Sequence, residues 1–355
     1  MSNWLKNASS LLHPLMALAA GLAVGAVAIL LVGESVINTY AEMWKGAFGS
    51  FYYLTNTLAR AIPILLIGVG LSLAFRAGFF NLGAEGQMVL GGITAALTAL
   101  YLPGPGWLRL IAALVAGILA GGVWGAIAGW LDDRFKINLI ISTLLMNYMA
   151  TYFASYLVSS PFKDTTGSAA LPQTPMIEPS AWLPKLFPGS SLHAGIFLAV
   201  AAAILIHLLV KYSVFGYEVN MIGRNPLFAS YGGVRRGPMM LAGLFISGGL
   251  AGLAGSVEVL GMQYRYLDGA LITPNYAWTG LMAALIAGSN PIGAALASLL
   301  LAALQTGAMG VERNTEVPLE IASVIQAAIV LFVSAKFGLA LFKRRKERKA
   351  NGSAV

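Results

Sequence analysis

A carboxylate, two amides and two glycines crowd into the run Phe79-Phe80-Asn81-Leu82-Gly83-Ala84-Glu85-Gly86-Gln87, with apolar stretches on both sides. A carboxylate within lipid costs about 2.5–3.5 kcal/mol on insertion scales. Loosened backbone at membrane depth survives only where protein buries it or where it lines a cavity. Such groups in such backbone suit a solute path between helices, where a charge and a few amides orient or gate a polar molecule. A second reading uses the same atoms as structure. Glu85 opens an apolar helix, where the macrodipole favours negative charge, and Arg76 lies just upstream to pair with it. Both readings predict damage on mutation, so loss of activity alone does not separate them.

Further polar groups sit in other apolar runs. Thr143, Asn147, Thr151 and Ser155 recur every four residues between 137 and 159, which lines them along one helical face. Polar side chains on a spanning helix glue helices together or wet a path. Thr151 and Ser155 fit glue, and Asn147, deeper in the run, fits either role. Glu258 falls late in the run 239–261, facing an external vestibule, and Gln263, Tyr264 and Trp278 follow it. The simplest role for Trp278 is an interfacial anchor. Amides and aromatics are also what a planar, hydroxylated solute needs. The candidate path residues are therefore Asn81, Glu85, Gln87, Asn147 and Glu258.

Other chemistry is excluded. There are no cysteines, and the three histidines, His13, His193 and His207, are far apart, so neither thiolate nor histidine metal sites are expected. Walker A, HExxH and nucleophile-elbow patterns are missing, so the chain reads as neither an enzyme nor a cofactor protein. The net charge of +8 does not point to nucleic acid. Its basic residues lie between apolar runs and in the tail Lys343-Arg344-Arg345-Lys346-Glu347-Arg348-Lys349, where they set topology and meet anionic lipid headgroups.

The elements that must position these residues follow from composition. The chain is 58% hydrophobic and 10% charged, against about 25% charged in soluble domains. It reads as a single transmembrane domain over residues 1–355. A spanning helix needs about 20 apolar residues, and candidates fall at roughly 13–33, 51–75, 82–102, 108–131, 137–159, 193–211, 239–261, 276–289, 291–307 and 319–341. The expectation is an all-α integral membrane protein of about ten transmembrane helices, some short or broken. The run 276–289 is short and could be a re-entrant half-helix. Basic residues alternate with mixed-charge intervals so that both termini are expected in the cytoplasm. The proline-dense interval 160–192 then lies outside the cell. Inside lie 212–238, with a short helix broken by Pro226 and Gly232-Gly233, and the basic tail 342–355. This arrangement places Phe79–Gln87 at the inner end of the second and third spans. Gly117, Gly121, Gly125 and Gly129, with Gly248 and Gly252, form smooth stripes for close helix packing.

Four motifs together carry a resemblance: Phe80–Gln87; Ile141-Ser142-Thr143-Leu144-Leu145-Met146-Asn147-Tyr148; Gly223-Arg224-Asn225-Pro226 with Ala229 and Gly232; and Ala287-Gly288-Ser289-Asn290-Pro291-Ile292-Gly293. They resemble bacterial ABC importer permeases of the branched-chain amino acid, ribose and nucleoside family, over roughly residues 50–335. Within it the chain looks most like the longer, guanosine-type nucleoside permeases. The resemblance implies a subunit in the bacterial inner membrane, assembled with a second permease, two ABC ATPases that bind ATP and magnesium, and an extracytoplasmic substrate-binding protein. It makes 212–238 the coupling loop, with Gly223, Arg224, Asn225, Ala229 and Gly232 at the ATPase contact. The expected function is ATP-driven nucleoside import by alternating access. The alternatives are a sugar or branched-chain amino acid permease of the same family and a proton-coupled secondary transporter.

Overall fold

The structure, a computed structural model, describes residues 3–166, 172–321 and 323–332. The tail 342–355, the end of the expected span 319–341 and residues 167–171 of the proline-dense loop lie outside the described residues. Those described are helical and contain no strand, only the isolated bridges Gln173–Leu267 and Lys185–His193.

The helices in order are α1 (Asn3–Val32), α2 (Val36–Phe48), α3 (Phe51–Arg76), α4 (Ala84–Tyr101), α5 (Gly106–Phe135), α6 (Leu139–Ser159) and α7 (Gly195–Tyr212). Two short helices follow, α8 (Val214–Arg224) and α9 (Pro226–Tyr231), then α10 (Arg236–Glu258), α11 (Tyr276–Ile286) and α12 (Pro291–Asn314). The end of α10 widens into a π-turn over Val259–Gln263.

The expectation of ten spans is corrected. Among the described residues, five helices are long and apolar enough to cross a membrane: α3, α5, α7, α10 with its π-turn, and α12. A sixth arises if Ala19–Val32 and Val36–Phe48, bent by 117°, count as one broken span. The helices that drop out do so for physical reasons. Glu85 and Gln87 dilute the hydropathy of α4, and Ser142, Thr143, Asn147, Thr151 and Ser155 dilute that of α6. The 11 residues of α11 reach only about 16 Å against a hydrocarbon core of about 30 Å. The bend after α1 was not expected from sequence; it turns on Gly33, whose φ of +90° suits glycine.

The chain divides into two compact units, residues 54–302 and residues 1–53 with 303–355. The larger is built on α4, α5 and α10, which pack on one another. The expected glycine stripe makes that contact. A Cβ on Gly121 would sit 2.8 Å from the Gly252 Cα, one on Gly125 would sit 2.5 Å from the Leu244 carbonyl oxygen, and one on Gly129 would sit 2.8 Å from Leu244 Cδ1. Gly117 faces Ser256 and Gly91. No side chain fits between such backbones, so dispersion contact replaces it. In the smaller unit the same device recurs, with Gly46 and Gly310 back to back and the Glu42 carboxylate accepting from Asn314 Nδ2 at 2.9 Å.

Candidate functional site

Asn81, Gln87 and Asn147 meet at the start of α4, and every polar arm of the three is engaged or buried. Asn81 Nδ2 donates to Gln87 Oε1 at 3.0 Å and to Ser247 Oγ at 3.2 Å. Asn81 Oδ1 accepts from the Gly83 N–H at 2.9 Å and from Gln87 Nε2 at 3.1 Å. Asn147 Oδ1 accepts the Gly86 N–H at 2.8 Å, while its Nδ2 donates to the Leu82 carbonyl at 2.8 Å. One turn earlier, Thr143 Oγ1 accepts the Leu82 N–H at 3.2 Å. The first amides of a helix lack intrahelical partners, and here a neighbouring helix supplies one. Asn81, Gln87 and Asn147 are all buried.

This knot lies well along α10 from the helix's basic end. Arg236, which opens α10, pairs with Asp132 near the end of α5 at 3.4 Å and marks the basic end of the bundle. Ser247 lies eleven residues further on, about 16 Å along the axis. Phe79 bridges the two levels, its ring 5.8 Å from the Arg236 guanidinium and its edge against Gly243. α3 ends near the basic end, and the chain returns about three turns along α10 before α4 begins.

Glu85 differs from the amides beside it. Its carboxylate is half-buried and accepts a hydrogen bond from Trp278 Nε1 at 3.0 Å. Arg76 does not pair with it; that guanidinium donates instead to Asn220 Oδ1 and to the Ser289 carbonyl. Trp278, read from sequence as an anchor, is thus a partner of the carboxylate. Glu258 lies at the other end of α10, buried, and accepts from Tyr276 Oη at 3.3 Å. Arg60 of α3 is within electrostatic reach of it. The two carboxylates are not adjacent, but α11 touches both, through Tyr276 and Trp278. Sequence spacing gave no signal for Tyr276, Ser247 or Arg60, because each acts across helices distant in the chain.

Within the proline-dense interval, residues 172–192 fold onto the far end of α10. The Leu183 N–H donates to the Leu260 carbonyl at 2.9 Å and the Ile177 N–H to the Tyr264 carbonyl at 2.8 Å. Trp182 stacks on Tyr264 with centroids 3.9 Å apart. His193 is enclosed there, and burial, then the nearby Lys185 charge, lower its imidazole to about 4. Arg109 binds Glu178, holding that carboxyl below the ordinary range through this hydrogen bond and a second to Ser180.

The stretch 212–238 forms α8 and α9, split where Asn225 Oδ1 caps α9 by accepting the Phe228 N–H at 3.1 Å. Gly232 ends α9 and Gly233 has φ +83°. Gly223 packs against the Arg76 carbonyl so closely that no side chain fits. Ala229 is buried, whereas Arg224 is exposed. Among the described residues no group of His, Asp or Glu is arranged to hold a metal ion.

Known proteins resemble this chain along most of its length. The profile of the family described as branched-chain amino acid transport system / permease component matches residues 53–334. The guanosine ABC transporter permease NupP of Bacillus subtilis is 33% identical over 97% of this chain and 99% of its own length. The glucose ABC transporter permease TsgB13 of Haloferax volcanii is 31% identical over 90% of this chain and 86% of its own. The nucleoside ABC transporter permease NupB of Lactococcus lactis is 30% identical over 92% and 91%.

Proposed function

The chain belongs to the branched-chain amino acid transport system permease family, and from that premise we propose that it forms half of a nucleoside path in an ATP-driven importer. It is a multi-span permease of the ABC-importer superfamily and a transport subunit without catalytic chemistry of its own. Family membership implies an ATPase, a substrate-binding protein and a second permease as partners. The nucleoside assignment draws support from two of the three relatives, named for guanosine and nucleosides.

The observation that carries the proposal is the Glu85–Trp278 pair, held partway through the bundle on the amide knot and half-open at its surface. An indole and a hydrogen-bonding carboxylate suit a heterocycle with ring N–H groups and ribose hydroxyls. The second permease would cover the open side. Glu258 and Tyr276 would guard the far end, where the 160–192 cap receives the binding protein. The basic end, with Arg134, Lys136, Arg224, Arg235 and Arg236, would face the cytoplasm of a bacterial inner membrane, and α8–α9 would meet the ATPase. The glucose relative supports a sugar as the second reading.

The test is uptake of labelled guanosine, glucose and leucine into ATP-loaded liposomes holding the assembled complex. The expected result is guanosine uptake that needs ATP. Glucose or leucine uptake alone would reassign the substrate. Uptake without any ATPase chain, abolished by a protonophore, would establish the proton-coupled alternative.

A further inference from the structure

Two cavities open at the basic end of the larger unit, of about 390 Å³ and about 310 Å³. They share Arg76 and Asn220 as walls. The first is completed by Arg224 and Asn225, with Tyr217 and Phe228 as aromatic sides. The second adds Lys211 and His207. No carboxylate lines either one. Arg76 and Arg224 repel each other across the first, and Arg224 has no hydrogen bond or ion pair among the described residues. Nearby acids are engaged elsewhere or face away: Asp132 holds Arg236, and Glu218 lies off the lining face of α8.

Like charges held together by a fold need an opposite charge to complete them. The rim says what carries it. Tyr217 is 65% exposed, Leu227 73%, Phe228 65% and Tyr231 90%. Exposed aromatic and apolar residues around an arginine centre have the composition of a protein-binding hot spot. We propose that the cavity between Arg76 and Arg224 receives a carboxylate side chain of the ATPase subunit, with Tyr217 and Phe228 closing over it. The proposal rests on α8–α9 being the ATPase contact, as proposed above.

The geometry also gives the contact a consequence. Arg76 donates to Asn220 on α8 and to the Ser289 carbonyl in the turn between α11 and α12. A carboxylate drawn onto Arg76 competes with Ser289 for the same guanidinium. The turn at the end of α11 is thereby made sensitive to the ATPase, and α11 carries Trp278, the partner of Glu85.

The experiment places an amine where the guanidinium stood. The complex of the Arg224→Lys chain with its ATPase is treated with a water-soluble carbodiimide, which joins an amine to a carboxylate in contact with it. Peptide mass spectrometry should find position 224 joined to an Asp or Glu of the ATPase. In parallel, a photo-crosslinking residue at Tyr231 should capture the ATPase without any carboxylate. Arg224→Glu should reduce ATPase recovered with the solubilised complex by about tenfold. Capture at 231 with no ATPase carboxylate joined at 224 would overturn the cavity proposal and leave the coupling face standing. A phospholipid retained there instead would give that result. Capture at neither position would overturn both.

Discussion

The start of α4 and the surface of α8–α9 use polar groups in opposite ways. Around Asn81, Gln87 and Asn147 the donors and acceptors answer one another in the dry interior, and the backbone break between α3 and α4 is sealed by side chains. On α8–α9, Arg224 is exposed and faces another cation. The first arrangement is complete within one chain. The second becomes complete only when something else arrives. Satisfied polar groups mark joints, and unsatisfied ones mark contacts. Glu85 stands between these cases, bonded on one side and open on the other.

This contrast can be broken by mutation. The largest effect is expected from Asn147→Leu, which leaves the Gly86 N–H and the Leu82 carbonyl without partners. At about 1–3 kcal/mol for each buried group, the solubilised chain should lose about 2–6 kcal/mol, read as a fall in thermal midpoint. A change within the error of the measurement would mean the knot is not a joint. Gly121→Val should follow, at about 1–3 kcal/mol or more from overpacking, because Gly252 leaves no space. Unchanged stability there would argue against the packing of α5 on α10.

The cap over the far end offers a milder probe. His193 ionises at about 4 when folded, against an ordinary value of 6.5. Its neutral form is favoured by the fold, so the stabilisation is whole above pH 6.5 and declines as pH falls from there through about 4. At pH 5.5 the loss is about 1.4 kcal/mol, visible as amide protection factors over 183–194 about tenfold lower than at pH 7.5 once the slower intrinsic exchange in acid is divided out. A His193→Gln chain should lose that pH response, and its persistence would point to another group. Smallest in stability is Arg224→Glu, expected within about 0.5 kcal/mol of the parent, although ATPase stimulation by transport should drop. A large loss of stability would make Arg224 a structural residue.

Much of the helical framework was legible because its signals are local. Gly117, Gly121, Gly125 and Gly129 repeat at helical spacing on α5, where they face α10. Pro226 and Gly232-Gly233 marked the ends of α9 for reasons of backbone chemistry. What the sequence concealed depends on contacts between distant segments. Nothing near Trp278 says that its indole will meet Glu85 from another helix, and nothing near Arg76 says that it will turn to Asn220 instead of Glu85. The span count failed for a related reason. In α4 and α6 the residues that lower hydropathy are those that tie the bundle together, so counting apolar runs treats joints and lipid-facing helices alike.

The central claim is that Glu85 meets solute while the amides beside it hold shape. Initial uptake by the whole complex in ATP-loaded liposomes, measured per folded transporter for Glu85→Ala, tests it most directly. The account predicts uptake lowered about tenfold, the worth of one hydrogen bond to a charged group, with the thermal midpoint unchanged and Glu85→Gln less impaired. Undiminished uptake, or a loss matched by a lower thermal midpoint as in Asn147→Leu, would contradict it.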